Sequence, residues 1–386
     1  MNIPFHKPVI PKSFDDIISK SIKNGWLTTG PNVKKFEEEI SNYNNSKYTV
    51  AVNSCTAALH LSLAAKNFGA GDKFIVPTYT FAATVEVGEY LGMHPVLIDC
   101  DDDYNIDLNH VEHVLKNDSD IKAIIPVHFA GKPVDMKSLQ KICEPNDVFI
   151  IEDAAHAFEA KSNVGEIGNT DHVAAFSFYA NKNITTAGEG GAISTNNEKL
   201  ASAIRKLSLH GMSKDGWKRF KTGEKWKYDI SKMGYKYNMT DISAAYGSWQ
   251  LESIDDWHKK RESIVNNYQS QLKDIDGIVC PRLKCQDMKH SYHLYIIRLI
   301  PEKWIISRDE MIQLLNSYGI GTSVHYTPIH MHSYYKNKYG YLDKDYKRAK
   351  YFSDNVITLP LYPILKDEDV SYIIKIIFEL WSKYKS

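Results

Sequence analysis

Ala174 to Gly191 reads AAFSFYANKNITTAGEGG. An apolar strand pattern delivers Ser177 and then Lys182, and a glycine-rich run, Ala187-Gly188-Glu189-Gly190-Gly191, follows. Lysine near the end of a buried strand is unusual, because the ammonium form resists burial. Desolvation lowers its pKa, which is what a Schiff-base lysine requires. The plainer alternative is a surface lysine whose stem snorkels, followed by a turn. Glycines here let backbone pass close to a ligand or a neighbouring strand.

Upstream, short apolar runs alternate with helical patterns. Tyr48–Asn53, Lys73–Pro77, Pro95–Asp99, Ala123–Val127 and Val148–Glu152 read as strands. Thr56–Lys66, Thr84–Leu91, Asn109–Leu115 and Met136–Cys143 read as helices between them. Such alternation, with continuous apolar strands, predicts an α/β fold with a mostly parallel sheet covered on both faces. Downstream the pattern changes. Leu200–His210 reads as a helix, Gly211–Asn238 as a long irregular stretch, and Thr240–Tyr268 as a long helix with room for one break. Strands near Tyr292–Leu299 and Gly321–Val324 and helices near Arg308–Tyr318 and Val370–Lys383 complete the chain. In the last helix Ile373, Ile377 and Leu380 form a core stripe. These patterns place a large domain over 1–250 and a smaller α+β domain over 251–386.

In open parallel sheets ligands bind at the carboxyl ends of the strands. After the first strand, Asn53-Ser54-Cys55-Thr56-Ala57-Ala58 opens a helix with small residues. It reads either as an ordinary N-cap or as a phosphate cup of free N–H groups at the positive dipole end. The fifth strand runs into Glu152-Asp153-Ala154-Ala155-His156. A buried acid needs a partner, so Asp153 is a metal ligand, a capping residue or the counter-ion of a protonated ring nitrogen. His156 is a core histidine or a site residue. An acid, then a lysine about thirty residues on, with a phosphate cup upstream, matches what pyridoxal 5′-phosphate (PLP) requires.

Composition sets the bounds. The chain has 386 residues, 24% of them charged and 43% hydrophobic, which suits two or three globular domains. Its 24 Tyr, 14 Phe and 7 Trp exclude wholesale disorder. Lys plus Arg and Asp plus Glu are 47 each, so no basic excess suggests nucleic acid as a partner. No apolar run approaches the ~20 residues of a membrane span, and Met1–Phe14 lacks a signal-peptide core. The expectation is a soluble cytoplasmic protein. Five scattered cysteines without a CxxC pair read as reduced thiols, with no metal site.

With these residues in view, the sequence resembles the PLP-dependent sugar aminotransferases of the DegT/DnrJ/StrS type, in the aspartate-aminotransferase fold (fold type I). The resemblance runs the whole length. It is carried by Gly25–Pro31, the cup Asn53–His60, Pro77–Phe81, Pro126–His128, Glu152–His156, Phe176–Gly191, Tyr237–Asp241, His293–Tyr295 and Val324–Tyr326, in that order. It implies that Lys182 forms the Schiff base and that Asp153 pairs with the pyridine nitrogen. Phe81 is implied to stack on the ring, with His156 near its 3-hydroxyl side. Thr56, Ala57 and Ser177 are implied to hold the phosphate, with Asn238 reaching it from the other subunit of a homodimer with shared active sites. Thr29, His325 and Tyr326 are implied to line a nucleotide-sugar site. Retention of Lys182 implies amino transfer rather than dehydration, from L-glutamate to a nucleotide-linked sugar. The wording around Lys182, with Val127–Gly131 and Tyr235–Asn238, is closest to 4-aminotransferases such as the enzyme that makes 4-amino-4-deoxy-arabinose on UDP. A 3-aminotransferase, or a non-catalytic binding or regulatory protein of this fold, is the alternative. The basic, aromatic segment between Gly211 and Asn238 is expected either to close over the nucleotide sugar or to be a solvated loop.

Overall fold

The computed structural model describes residues 2–212, 228–283 and 287–386. Seven strands build the central sheet: β1 (Tyr48–Val52), β2 (Lys73–Pro77), β3 (His94–Ile98), β4 (Ile121–Ile124), β5 (Phe149–Asp153), β6 (Val173–Ser177) and β7 (Gly191–Thr195). Their order is β1-β7-β6-β5-β4-β2-β3. Strands β2 to β6 pair in parallel. Only β7 is reversed, antiparallel to both β1 and β6. No helix lies between β6 and β7 to carry a crossover, so the chain returns antiparallel. The carboxyl ends of β1, β2, β4, β5 and β6 therefore share one edge of the sheet.

Helices α1 (Phe14–Lys23), α2 (Pro31–Asn44), α3 (Cys55–Ala65), α4 (Ala83–Glu89), α5 (Leu108–Asn117), α6 (Met136–Cys143), α7 (Glu198–Leu207) and α8 (Asp241–Glu252) surround the sheet. Both faces are covered, and the strand period shows it. In β6, Val173 and Ala175 pack with Ala57 and Leu61 of α3, whereas Ala174 and Phe176 pack with Phe36 of α2 and Ala244 of α8. All residues of β6 and β7 are buried, which is why these strands read as unbroken apolar runs. Side-chain caps start many of these helices: Ser54, Asp135, Asn197 and Thr240 each accept a backbone N–H of the first turn.

The long helical pattern after Thr240 breaks at Ser253 into α8 and α9 (Ile254–Leu272). The near end of α9 places Ile254 and Trp257 in the core beside α2, and its far end places Ile264, Tyr268 and Leu272 in a second core. That second core surrounds an antiparallel sheet of β8 (Ile278–Val279), β9 (Tyr295–Leu299) and β10 (Val356–Leu359). The helix Asp367–Tyr384 buries Ile373, Ile377 and Leu380 against it, as the sequence stripe predicts. The expected strand Gly321–Val324 is reduced to a single bridge, Ser323 to Thr358. Ile3 takes the backbone beside it instead, donating to Gly319 O and accepting from Gly321 N at 2.8 Å each. No helix among the described residues is long and apolar enough to cross a membrane. Cys55, Cys100, Cys143 and Cys280 are free thiols; Cys285 lies outside the described residues.

Truncating the stripe tests this packing. Ile377→Ala should destabilise the protein by about 2–5 kcal/mol, read as a lower urea midpoint. A shift below about 1 kcal/mol would place Ile377 outside the core.

Candidate active site

Beyond β6 the chain closes on itself. Phe178 N–H donates to Gly190 O at 2.9 Å and Thr186 N–H to Phe178 O at 3.2 Å. The hydroxyls of Thr185 and Thr186 donate to Phe178 O at 3.0 Å and Glu189 O at 2.6 Å. Lys182 sits in this loop, its own N–H donating to Tyr179 O at 2.9 Å. The residue as a whole is half-buried, but its amine is desolvated. Burial pulls its pKa down to about 8, against the opposing pull of Cys55 and Asp153.

Asp153 ends β5 and is buried. Its Oδ2 accepts from Thr84 Oγ1 at 2.9 Å and its Oδ1 from Ala155 N–H at 3.1 Å. Burial pushes this carboxyl above the usual range, while those donors and the Lys182 charge pull it back. The residue caps no helix. Among the described residues no group of three His, Cys, Asp or Glu converges to hold a metal ion. A desolvated carboxylate of this kind is stabilised by a nearby cation such as a protonated ring nitrogen.

The segment after β1 forms a cup. Ser54 caps α3, and its Oγ accepts from Ala57 N–H at 3.0 Å. That occupies Ala57 and leaves the N–H groups of Cys55 and Thr56 without a partner among the described residues. They point from the positive end of an 11-residue helix. Gly191 presses on the same turn: a Cβ there would lie 2.4 Å from Ser54 C and 2.7 Å from Cys55 N. The glycine-rich run thus serves backbone approach to the cup. Ser177 ends the adjacent strand β6, facing Gly191 in register.

Phe81 is 62% exposed, leaving its ring face open, and its centroid lies 6.1 Å from that of Tyr326. His156 Nδ1 accepts from Ala130 N–H at 3.2 Å. The neutral ring therefore carries its proton on Nε2 and donates it to Tyr326 Oη, 3.0 Å away. Burial and the Lys182 charge keep His156 neutral, its pKa well below the ordinary value. The Tyr326 hydroxyl proton is left to be donated elsewhere. His325 Nδ1 lies 2.9 Å from Thr358 Oγ1, and its carbonyl accepts from Tyr79 Oη at 2.7 Å.

The structure therefore gathers Lys182, Asp153, His156, Ser177, His325, Tyr326, Phe81 and the start of α3 at one edge of the sheet. Thr29 and Asn238 form a second group beside the end of β1, where Asn238 bridges Val52 and Asn53 N–H donates to Tyr237 O at 2.8 Å. Asn238 Nδ2 donates to Thr29 Oγ1 at 2.8 Å, and Thr29 Oγ1 donates to Met239 O at 2.9 Å. Both line a cavity of about 1010 Å³ bounded by α2, β1 and α7, which Lys182 and Asp153 do not line. Of the basic, aromatic segment, Lys214, Trp217, Lys218, Arg219, Phe220, Lys221, Lys225, Trp226 and Lys227 lie outside the described residues. Lys232 donates to Ala64 O at 3.1 Å, and Lys236 bonds Asn238 Oδ1. Sequence reasoning missed Thr84, which holds Asp153. Nothing in the local pattern marks it.

A desolvated lysine, a buried carboxylate, an anion cup and an open aromatic face fit PLP, and they define a PLP-dependent enzyme. The chain belongs to the DegT/DnrJ/EryC1/StrS aminotransferase family, which matches residues 8–378. It is 40% identical over 380 residues to the Bacillus subtilis spore coat polysaccharide biosynthesis protein SpsC, covering 98% of this chain and 97% of SpsC. Among solved structures it resembles Streptococcus pneumoniae Spr1654 in its PMP form, with TM-score 0.91 and 34% identity, covering 99% of this chain and all (100%) of that one. The PLP form of Spr1654 matches with TM-score 0.90. Helicobacter pylori PseC, an aminotransferase involved in the biosynthesis of pseudoaminic acid, matches with TM-score 0.90 and 26% identity over 99% of this chain and 100% of that one.

Two outcomes test the geometry. The folded pKa of Lys182, about 8, lies below its ordinary 10.5. Between those values the unfolded chain binds a proton that the folded chain does not, so stability rises with pH across that window. In cofactor-free protein, Lys182→Met should therefore unfold at higher urea than wild type at pH 7. Its advantage should shrink between about pH 8 and about 10.5; a constant difference would mean a solvated amine. Gly191→Val should overpack the cup by about 1–3 kcal/mol and weaken PLP binding by about tenfold. Equilibrium dialysis reads that effect, with circular dichroism confirming the fold.

Proposed function

We propose that this enzyme transfers the amino group of L-glutamate to the 4-keto group of a nucleotide-linked, 6-deoxy sugar, for surface polysaccharide or glycan synthesis. The observation that carries the reading is the convergence of the Lys182 loop, the Asp153 carboxylate held by Thr84 and the start of α3 at one edge of the sheet. The names of SpsC and PseC support a sugar acceptor.

PLP supplies the electron sink and the amino-group carrier. Asp153, held by Thr84 and Ala155, would pair with the ring nitrogen and keep it protonated. Thr56 and Ser177 would hold the phosphate end, the Ala57 N–H expected there being kept by the Ser54 cap, and Phe81 and His156 would hold the ring. Lys182 Nζ takes the α-proton of glutamate and later returns a proton to the sugar carbon. Tyr326, with His156 donating to its oxygen, offers its own proton to an oxygen in the site. His325 and Tyr326 face the sugar.

Asn238 and Thr29 serve the neighbouring subunit of a homodimer. Both line a cavity that Lys182 and Asp153 do not line, which supports that division. The chain divides near residue 250, residues 1–250 binding the cofactor and 251–386 closing the site; the change of core partners along α9 supports this. The enzyme works in the cytoplasm.

One spectrum tests the reading. The purified protein should show a visible band that L-glutamate bleaches and a 4-keto nucleotide sugar restores, with 2-oxoglutarate released. NMR of the product should place nitrogen at C4. Nitrogen at C3 would make it a 3-aminotransferase. A band that persists in Lys182→Ala would overturn the lysine assignment.

A further inference from the structure

Asn183, the residue after Lys182, is tied down on three sides. Its Nδ2 donates to Glu159 Oε2 and, at 3.0 Å, to Ser291 O. Its Oδ1 lies 3.0 Å from His293 Nδ1. The amide cannot be turned over, because that would set its oxygen against a carboxylate and a carbonyl. Its oxygen can only accept, so His293 Nδ1 carries a proton. His293 is buried and neutral, since burial and the charge of Lys182 press its pKa well below the ordinary value. Its Nε2 is thus an acceptor. The ring lies 4.5 Å, centroid to centroid, from that of His156. Ser291 also ties the two segments, its Oγ donating to His156 O at 2.5 Å.

Behind Asn183 stands a buried ion pair. Glu159 has no exposed side-chain surface, and Arg261 has 2%. Arg261 Nη2 bonds Glu159 Oε1, and His258 Nδ1 lies 3.5 Å from the same oxygen. Burial would raise the Glu159 carboxyl, but Arg261 and its other partners hold it below the usual range. A buried pair of this kind is a weak source of stability, because desolvating two ions offsets their attraction. Its other carboxylate oxygen does one visible thing: it holds Asn183.

We propose that Asn183 is a positioning residue, anchored by the Glu159–Arg261 pair, that sets the pose of the Lys182 amine and the tautomer of His293 beside His156. The proposal rests on Lys182 being the catalytic lysine of the aminotransferase. A misplacement of about 1 Å at such a group costs up to about 10²-fold in rate.

The test uses the holoenzyme. In Asn183→Ala, kcat for the glutamate half-reaction should fall by about 10- to 100-fold. KM should stay within about threefold, cofactor content should be unchanged, and the pH dependence of the visible band should be displaced. The double variant Glu159→Gln/Arg261→Met keeps an amide oxygen for Asn183 and leaves no unpaired buried charge, so it should hold kcat within about threefold of wild type. Glu159→Leu/Arg261→Met removes the acceptor and should reproduce the loss seen in Asn183→Ala. Wild-type kcat and spectrum in Asn183→Ala would overturn the proposal, as would equal losses in the two double variants. If the wild-type band survives in Lys182→Ala, the catalytic assignment fails first and takes this inference with it.

Discussion

An ammonium ion loses several kcal/mol of hydration on burial, and Lys182 is held where its amine is desolvated among Cys55, Asp153 and neutral rings. Much of the neighbouring structure follows from meeting that cost. The parallel strands bring their carboxyl ends to one edge, so an acid from β5 and the loop after β6 meet there. Reversal of β7 closes the lysine loop and lays Gly191 against the first turn of α3. The anion cup and the amine are thus built by one backbone excursion, and a side chain at Gly191 would separate them.

The surrounding imidazoles keep the charge low. His156, His293 and His325 are all pressed below their ordinary pKa by burial, with Lys182 adding to the effect. Neutral rings have defined tautomers, and their neighbours fix them: Ala130 N–H faces Nδ1 of His156, and Asn183 Oδ1 faces Nδ1 of His293. The His156 ring then donates to Tyr326 rather than accepting from it. Proton positions in the site are therefore set by groups that lie outside it. The Glu159–Arg261 pair belongs to the same arrangement, holding an amide rather than lending stability.

Much of the site is legible along the chain because its parts are local. Ser54 and its cap lie within one turn of helix, Asp153 ends an apolar run, and Lys182 follows another. Each feature is written in a few consecutive residues, and the alternation of strands and helices orders them. The supports are not local. Thr84 reaches Asp153 across 69 positions, Arg261 reaches Glu159 across 102, and His293 reaches Asn183 across 110. No periodicity joins such pairs. The strand expected at Gly321–Val324 pairs through Ser323 alone, while Ile3, from the other end of the chain, bonds Gly319 and Gly321.

By itself the sequence determined the α/β alternation, the buried lysine strand, the acid upstream and the helix start that forms the cup. Apolar period and capping chemistry act over single turns and strands, so they can be read without a partner. Only the tertiary structure decided that β7 runs backward, that Ala57 is spent on its own cap, and that Thr29 is bonded to Asn238 beside the end of β1. It alone set Asn183 between a buried ion pair and a histidine. Those outcomes depend on which distant groups share one desolvated space, where each donor must find an acceptor, and that is settled only when the chain is folded.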